Sequence, residues 1–112
     1  KKKNNLTKIL TDKLNNSNSS LLLFPEGTRN FKYKSLKSLK SGAFVIAQNT
    51  EIPIVPVYIN TIDCFNDISK KHIKNQDLNI IYGDPIITKN KSVENIIKEY
   101  KQFYIDNGFQ IE

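Results

Sequence analysis

Apolar residues recur three or four positions apart near both ends of this chain, and that spacing predicts a helix in each place. Two further helices are predicted between them, so that the predicted helices cover residues 5–16, 39–49, 62–68 and 93–107. The last has the clearest ends, because Ser92 is a good N-cap residue and Gly108 is well placed to stop a helix. Its apolar stripe predicts core packing and consists of Val93, Ile96, Ile97, Tyr100 and Phe103.

Three short apolar runs predict strands at residues 21–24, 52–59 and 78–82. The first is apolar at successive positions, as in a parallel sheet that is covered on both faces. Because a helix lies between the first two strands, we expect them to pair in parallel through a right-handed crossover. Pro53 and Pro56 remove two ladder donors, so the second strand is expected at an edge or with an irregular start. The pattern predicts an α/β fold with a parallel or mixed sheet flanked by helices.

Length and charge narrow the classes of protein. At 112 residues there is room for one small domain or part of one. The net charge of +6 comes from sixteen lysines and one arginine, without the arginine or aromatic clusters expected of a nucleic-acid-binding surface, so we expect no nucleic-acid partner. The single cysteine, Cys64, excludes an intramolecular disulfide. No apolar run reaches the roughly 18 residues that a membrane-spanning helix needs.

The turn after the first predicted strand has the residue types of a phosphate site. Arg29, the only arginine, offers a planar fork that matches two phosphate oxygens. Gly27 permits a tight turn and close ligand approach, and Thr28 adds a hydroxyl donor. Glu26 is expected to bind Arg29 or a substrate hydroxyl. The structural alternative is a buried Glu–Arg pair that only closes the turn.

Four segments in order resemble the glycerolipid acyltransferases, typified by 1-acylglycerol-3-phosphate acyltransferase. They are LFPEGTR at 23–29, LKSGAF at 39–44, IPIVPVY at 52–58 and LNIIYGDPI at 78–86. The resemblance spans about residues 20–87, and Lys40 occupies the basic position of the family's Phe-Lys-x-Gly pattern, with Leu39 in place of Phe. Three further lysines, Lys32, Lys34 and Lys37, form a basic loop that either steers anions or is simply solvated.

The resemblance implies transfer of a fatty acyl group from acyl-CoA or acyl-carrier protein to a lysophospholipid or glycerol-phosphate acceptor. It implies no metal and no tightly bound cofactor, and a membrane-associated protein that faces the cytoplasm, at the endoplasmic reticulum or a bacterial inner membrane. The residues implied to bind the acceptor phosphate are Glu26, Gly27, Thr28, Arg29 and Lys40, with Pro53 and Pro56 as the pocket wall.

The catalytic base of the family belongs to a His-x4-Asp motif upstream of the turn, and the stretch before Leu21 contains no histidine. We therefore expect residues 1–112 to be the C-terminal portion of one acyltransferase domain, inactive when isolated. His72 and Asp77 have the motif's spacing, but they follow the proline-rich strand in a polar stretch, so we interpret them as loop residues. The alternative function is a non-catalytic remnant, or a phosphate- or lipid-binding module that lacks the base.

Overall fold

The computed structural model describes residues 2–28, 30, 34–60 and 79–112. Within them the chain forms three helices and four short strands. These are α1 (Lys2–Asn15), β1 (Ser35–Leu36), α2 (Gly42–Thr50), β2 (Val57–Asn60), β3 (Asn79–Tyr82), α3 (Val93–Asp106) and β4 (Gln110–Ile111). The three predicted helices that fall within the described residues are confirmed, with ends that differ by a few positions. The helix predicted at residues 62–68 lies outside the described residues.

The strands form two separate pairs. β1 lies parallel to β4, with Ser35 opposite Gln110 and Leu36 opposite Ile111. β2 lies antiparallel to β3, and an antiparallel bridge between Ile54 and Ile86 extends that pairing. The structure is therefore a small α/β arrangement with both parallel and antiparallel pairing, consistent with a partial acyltransferase domain.

The predicted strand at residues 21–24 is wrong. These residues form no strand, and their side chains are exposed, with 77% of Leu22 and 76% of Phe24 accessible to solvent. The expected parallel pairing with residues 52–59 is also wrong, because β2 pairs antiparallel with β3. A strand needs a neighbour that satisfies its backbone groups, and among the described residues no strand lies beside residues 21–24.

The second predicted strand begins irregularly, as its prolines indicated. β2 starts only after Pro56, and Ile54 makes a single isolated bridge between the two prolines. The carbonyl of Pro56 still accepts a hydrogen bond from the Gly83 N–H at 2.8 Å. The prolines therefore shorten the regular ladder, since they have no N–H to donate.

The core forms where α3 meets α2 and β1. Ile96 and Tyr100 of α3 are buried, and the Phe44 ring of α2 meets the Tyr100 ring edge-on at a centroid distance of 5.2 Å. Leu36 and Ile86 are buried in the same hydrophobic cluster. The predicted stripe of α3 is confirmed as core packing, and Tyr104, which it omitted, is also buried.

The helix α1 packs against α2 with a narrower face than predicted. Leu10 and Leu14 are half-buried as expected, whereas Leu6 and Ile9 are exposed. The half-buried positions also include Thr7 and Thr11. The face of α1 that packs therefore consists of Thr7, Leu10, Thr11 and Leu14, which follow one another at helical spacing.

Replacement of Ser92 by alanine is expected to destabilise the fold by about 1 kcal/mol, a typical value for a lost N-cap. Ser92 has extended backbone, and its Oγ accepts a hydrogen bond from the Asn95 N–H at 3.2 Å. Urea unfolding of Ser92→Ala would measure the loss. Ser41→Ala is the matched control, because Ser41 precedes α2 without a side-chain cap bond; equal losses in both variants would contradict the prediction.

Candidate functional site

The glycine of the Glu-Gly-Thr-Arg turn has a backbone conformation that other residues rarely adopt. The Gly27 N–H donates to the Phe24 carbonyl at 3.0 Å, which closes a tight turn. The φ angle of Gly27 is +73°, in the left-handed region where a Cβ atom is unfavourable. The turn therefore requires glycine at this position for conformational reasons alone.

Glu26 ties this turn to the chain that follows it. Its Oε2 atom accepts hydrogen bonds from the Lys37 backbone N–H at 2.8 Å and from the Asn30 side-chain amide at 3.1 Å. The same Asn30 amide also donates to the Ser35 carbonyl. Glu26 is half-buried, so these charge-assisted bonds hold the turn in place. Of the roles left open by the sequence, the described contacts favour anchoring of the turn.

Lys40 places a cation beside the turn. Its backbone N–H donates to the Pro25 carbonyl at 2.7 Å, and its side chain runs directly past Gly27. A Cβ atom built on Gly27 would lie 2.9 Å from Lys40 Cε, so the lysine stem occupies the space that the absent side chain leaves. The helix α2 begins two residues later, and the positive end of its dipole adds to the same local potential.

The structure thus brings together three of the predicted site residues, Glu26, Gly27 and Lys40. Thr28 follows on the same turn and is exposed. Arg29, Lys32, His72 and Asp77 lie outside the described residues, so their predicted roles stay predictions.

The two prolines of the predicted pocket wall occupy different environments. Pro53 is exposed, whereas Pro56 is buried and packs beside Gly83 and Phe103. Pro56 lines a shallow depression of about 330 Å³ between α3 and the residues that flank β2 and β3. None of the residues that line this depression belongs to the turn, and within the described part of the chain nothing therefore places Pro56 on the wall of a site at Gly27.

Two buried tyrosines of α3, Tyr100 and Tyr104, lie near Glu26. Tyr104 Oη donates to the Val57 carbonyl at 2.7 Å and lies 3.0 Å from Tyr100 Oη. Burial, followed by the neighbouring Tyr104, raises the pKa of Tyr100 well above its usual range, and the Glu26 carboxylate adds to this. Burial also raises the pKa of Tyr104, although its hydrogen bonds act in the opposite direction. Both phenols therefore stay neutral near pH 7 and serve as core hydrogen-bond donors.

Sequence reasoning missed Asn30 and the true environment of Lys34. Asn30 lies four residues after Glu26 and links it to the Ser35 carbonyl, which a simple spacing argument does not reveal. Lys34 is half-buried, and its Nζ donates to the Asn107 carbonyl at 3.1 Å. The interpretation of Lys34 as a simply solvated loop lysine is therefore wrong, and its part in steering anions stays a prediction.

Neither a metal centre nor a membrane-spanning helix is found in the described part of the chain. No three His, Cys, Asp or Glu side chains there are grouped so that they could hold a metal ion. None of the helices described is long and apolar enough to cross a bilayer.

Comparisons with known proteins agree with the motif resemblance. Residues 1–60 match the sequence profile of the family named acyltransferase, and they include α1 as well as the turn. An uncharacterized acyltransferase of Schizosaccharomyces pombe is 36% identical over 86 residues, 75% of this chain and 30% of the relative. The 1-acyl-sn-glycerol-3-phosphate acyltransferase of Haemophilus influenzae is 32% identical over 95 residues, 85% of this chain and 38% of the relative.

A human protein, 1-acyl-sn-glycerol-3-phosphate acyltransferase beta, is 36% identical over 62 residues, 55% of this chain and 22% of the relative. This chain thus spans 38% or less of the length of these relatives. No solved structure matches it significantly. Since the acyltransferase match covers more than half of the chain and includes the Glu-Gly-Thr-Arg turn, and the relatives include 1-acyl-sn-glycerol-3-phosphate acyltransferases, the chain belongs to the glycerolipid acyltransferase family.

Proposed function

We propose that this chain supplies the acceptor phosphate site of an enzyme that moves a fatty acyl group to a glycerol-phosphate or lysophospholipid hydroxyl. The donor is an acyl thioester, acyl-CoA or acyl-carrier protein. The observation that carries the proposal is the turn at Gly27, which Glu26 anchors and against which the Lys40 side chain lies. Relatives whose names specify 1-acylglycerol-3-phosphate as acceptor support this choice.

Each residue of the turn has a distinct task in this proposal. The Arg29 guanidinium binds two oxygens of the acceptor phosphate, and the Lys40 ammonium adds a second positive charge beside Gly27. Thr28 offers its hydroxyl as a further donor. The Glu26 carboxylate would repel a phosphate if it pointed at one. Its bonds to the Lys37 N–H and the Asn30 amide instead direct the charge of one oxygen toward the protein.

Acyl transfer also needs a base that deprotonates the acceptor hydroxyl. We assign this task to the family's His-x4-Asp motif in the complete protein, preceding the turn, with this chain as the C-terminal portion of the acyltransferase domain. The aspartate would orient the histidine, as a carboxylate does in other histidine-based sites. On this assignment His72 and Asp77 take no part in the chemistry.

A lysophospholipid acceptor is an amphipathic lipid, so its phosphate would be presented at a membrane surface. The net charge of +6 favours approach to an anionic surface. We therefore place the complete protein at a membrane with this site facing the cytoplasm. The reaction as proposed requires no metal and no tightly bound cofactor.

Binding of glycerol 3-phosphate to the 112-residue chain tests the acceptor site directly. Arg29→Ala is expected to weaken binding about 30-fold, the equivalent of about 2 kcal/mol for lost charge-assisted hydrogen bonds. Arg29→Lys retains the charge but not the fork, so its affinity should fall between those of Arg29→Ala and the natural chain. Calorimetric titration would measure the affinities, and thermal unfolding would establish that each variant is folded.

Lys89→Ala is the control, since it removes one positive charge from an exposed position in the loop before α3. The proposal fails if the natural chain does not bind glycerol 3-phosphate. It also fails if folded Arg29→Ala binds as tightly as the natural chain, or if Lys89→Ala weakens binding to the same degree.

A further inference from the structure

The last residues of the chain lie against the loop that follows the Glu-Gly-Thr-Arg turn. The Gln110 N–H donates to the Lys34 carbonyl at 2.9 Å, and the Glu112 N–H donates to the Leu36 carbonyl at 3.0 Å. These bonds form the parallel pair of β1 and β4. A segment more than seventy residues away in sequence therefore fixes the backbone of residues 34–36.

Lys34 is held at this junction in an unusual conformation. Its φ angle is +47°, in the left-handed region that non-glycine residues seldom adopt. Its side-chain Nζ donates to the Asn107 carbonyl at 3.1 Å, at the C-terminal end of α3, where a cation is favoured by the helix dipole. Backbone and side chain of Lys34 thus both bind the C-terminal segment, which stabilises a conformation that is costly by itself.

The same short stretch of chain is bound from the other side by the turn. The Lys37 N–H donates to Glu26 Oε2, and Asn30 connects that oxygen to the Ser35 carbonyl. Residues 34–37 therefore have the C-terminal segment on one side and the anchor of the turn on the other. A shift of this stretch would move the donor on which the Glu26 carboxylate depends.

We propose that residues 107–112 form a C-terminal clamp that positions the turn for the acceptor phosphate, with Lys34 and Gln110 as positioning residues. This inference rests on the proposed function, because it concerns the geometry of that same site. Neither residue acts as a phosphate ligand here: Lys34 Nζ binds a helix carbonyl and Gln110 contributes its backbone N–H. Residues 107–112 lie beyond residue 60, where the family match ends.

Two variants loosen the clamp by different means. Gln110→Pro removes the backbone N–H that donates a hydrogen bond to the Lys34 carbonyl. Because the Gln110 side chain is exposed, little packing is lost. Lys34→Met keeps the aliphatic stem but removes the amine. Lys34→Arg restores a cationic donor and serves as the rescue variant. Lys98→Met, at an exposed position of α3, is the control for loss of one positive charge.

Glycerol 3-phosphate titrations of the 112-residue chain, followed through the backbone amide resonances of Gly27 and Lys37, provide the readout. We expect Gln110→Pro and Lys34→Met to weaken binding about five- to tenfold, the usual effect of one hydrogen bond on an equilibrium. The Lys37 amide resonance should shift in both variants before ligand is added. Lys34→Arg should bind nearly as tightly as the natural chain, and Lys98→Met should leave binding and the Lys37 resonance unchanged.

Each outcome separates the clamp from the site it supports. Suppose that folded Lys34→Met and Gln110→Pro bind glycerol 3-phosphate as tightly as the natural chain, while Arg29→Ala does not bind it. That result would overturn the clamp and leave the proposed function intact. Natural affinity in Arg29→Ala would remove the proposed function and the clamp with it. Should Gln110→Pro not fold, Lys34→Met and Lys34→Arg decide, because they retain every backbone hydrogen bond. Equal weakening by Lys98→Met would show a general charge effect and overturn the clamp.

Discussion

Gly27→Val is expected to lose both stability and acceptor binding. A β-branched residue at a φ of +73° is strained, and backbone strain of this kind costs roughly 1–3 kcal/mol. The new Cβ would also lie 2.9 Å from Lys40 Cε and 3.4 Å from Lys40 Cγ, so the lysine side chain must move away from the turn. The variant should therefore unfold at lower urea concentration, and its folded fraction should bind glycerol 3-phosphate more weakly.

Gly42→Val is the matched control for this substitution. Gly42 begins α2, and a Cβ atom there meets no other atom within 4 Å. Because valine is a better helix former than glycine, Gly42→Val should be neutral or slightly stabilising. Urea unfolding curves and glycerol 3-phosphate titrations of Gly27→Val and Gly42→Val would be compared. Equal losses of stability and affinity in the two variants would contradict the role given to Gly27.

The elements that could be predicted from sequence are those with local causes. The cap of α3 depends on Ser92 and Asn95, three residues apart, and Gly108 after its end has a φ of +88°, as a helix-stopping glycine should. The apolar spacing of α3 likewise places Ile96 and Tyr100 in the core. Each of these signals lies within one or two helical turns, so the sequence contains it in full.

Strand pairing has no such local cause, and here prediction failed. Residues 21–24 are more apolar than Ser35–Leu36, yet only the latter pair becomes a strand, because Gln110–Ile111 lies beside it. A strand of two residues has no measurable period, and its partner is decided by how α3 packs. The same reason explains why β2 takes β3 as its neighbour: residues 57–60 and 79–82 meet in antiparallel register.

The candidate site was predictable in its residue types but not in its supports. Gly27 and Lys40 belong to segments that resemble the family, and the structure places them in contact. Glu26 and Lys34 each bind a backbone group, the Lys37 N–H and the Asn107 carbonyl respectively, and nearly every residue type possesses both kinds of group. A sequence does not record which backbone group a side chain will reach, so these bonds become visible only in the fold.

Assayed alone with acyl-CoA and lysophosphatidate, the 112-residue chain is expected to be inactive by comparison with a complete acyltransferase. Loss of a general base typically lowers the rate about 10²- to 10⁴-fold. His72 is the only histidine of this sequence, and it follows the turn instead of preceding it. The His72→Ala variant should therefore behave as the natural chain does. Phosphatidate formation from labelled acyl-CoA would be the measurement, with the Haemophilus influenzae relative as the positive control.

This assay also separates the two candidate functions once acceptor binding has been measured. A fusion that joins this chain to the part of the Haemophilus influenzae relative preceding its matched region supplies the sequence in which we expect the base to lie. Turnover by that fusion, lost again in its Arg29→Ala variant, is the result expected of an acceptor site within an enzyme. Binding of glycerol 3-phosphate without turnover in any fusion would favour the non-catalytic phosphate-binding module. Turnover by the isolated chain that disappears in His72→Ala would instead make His72 the base and overturn our interpretation of the His72–Asp77 spacing.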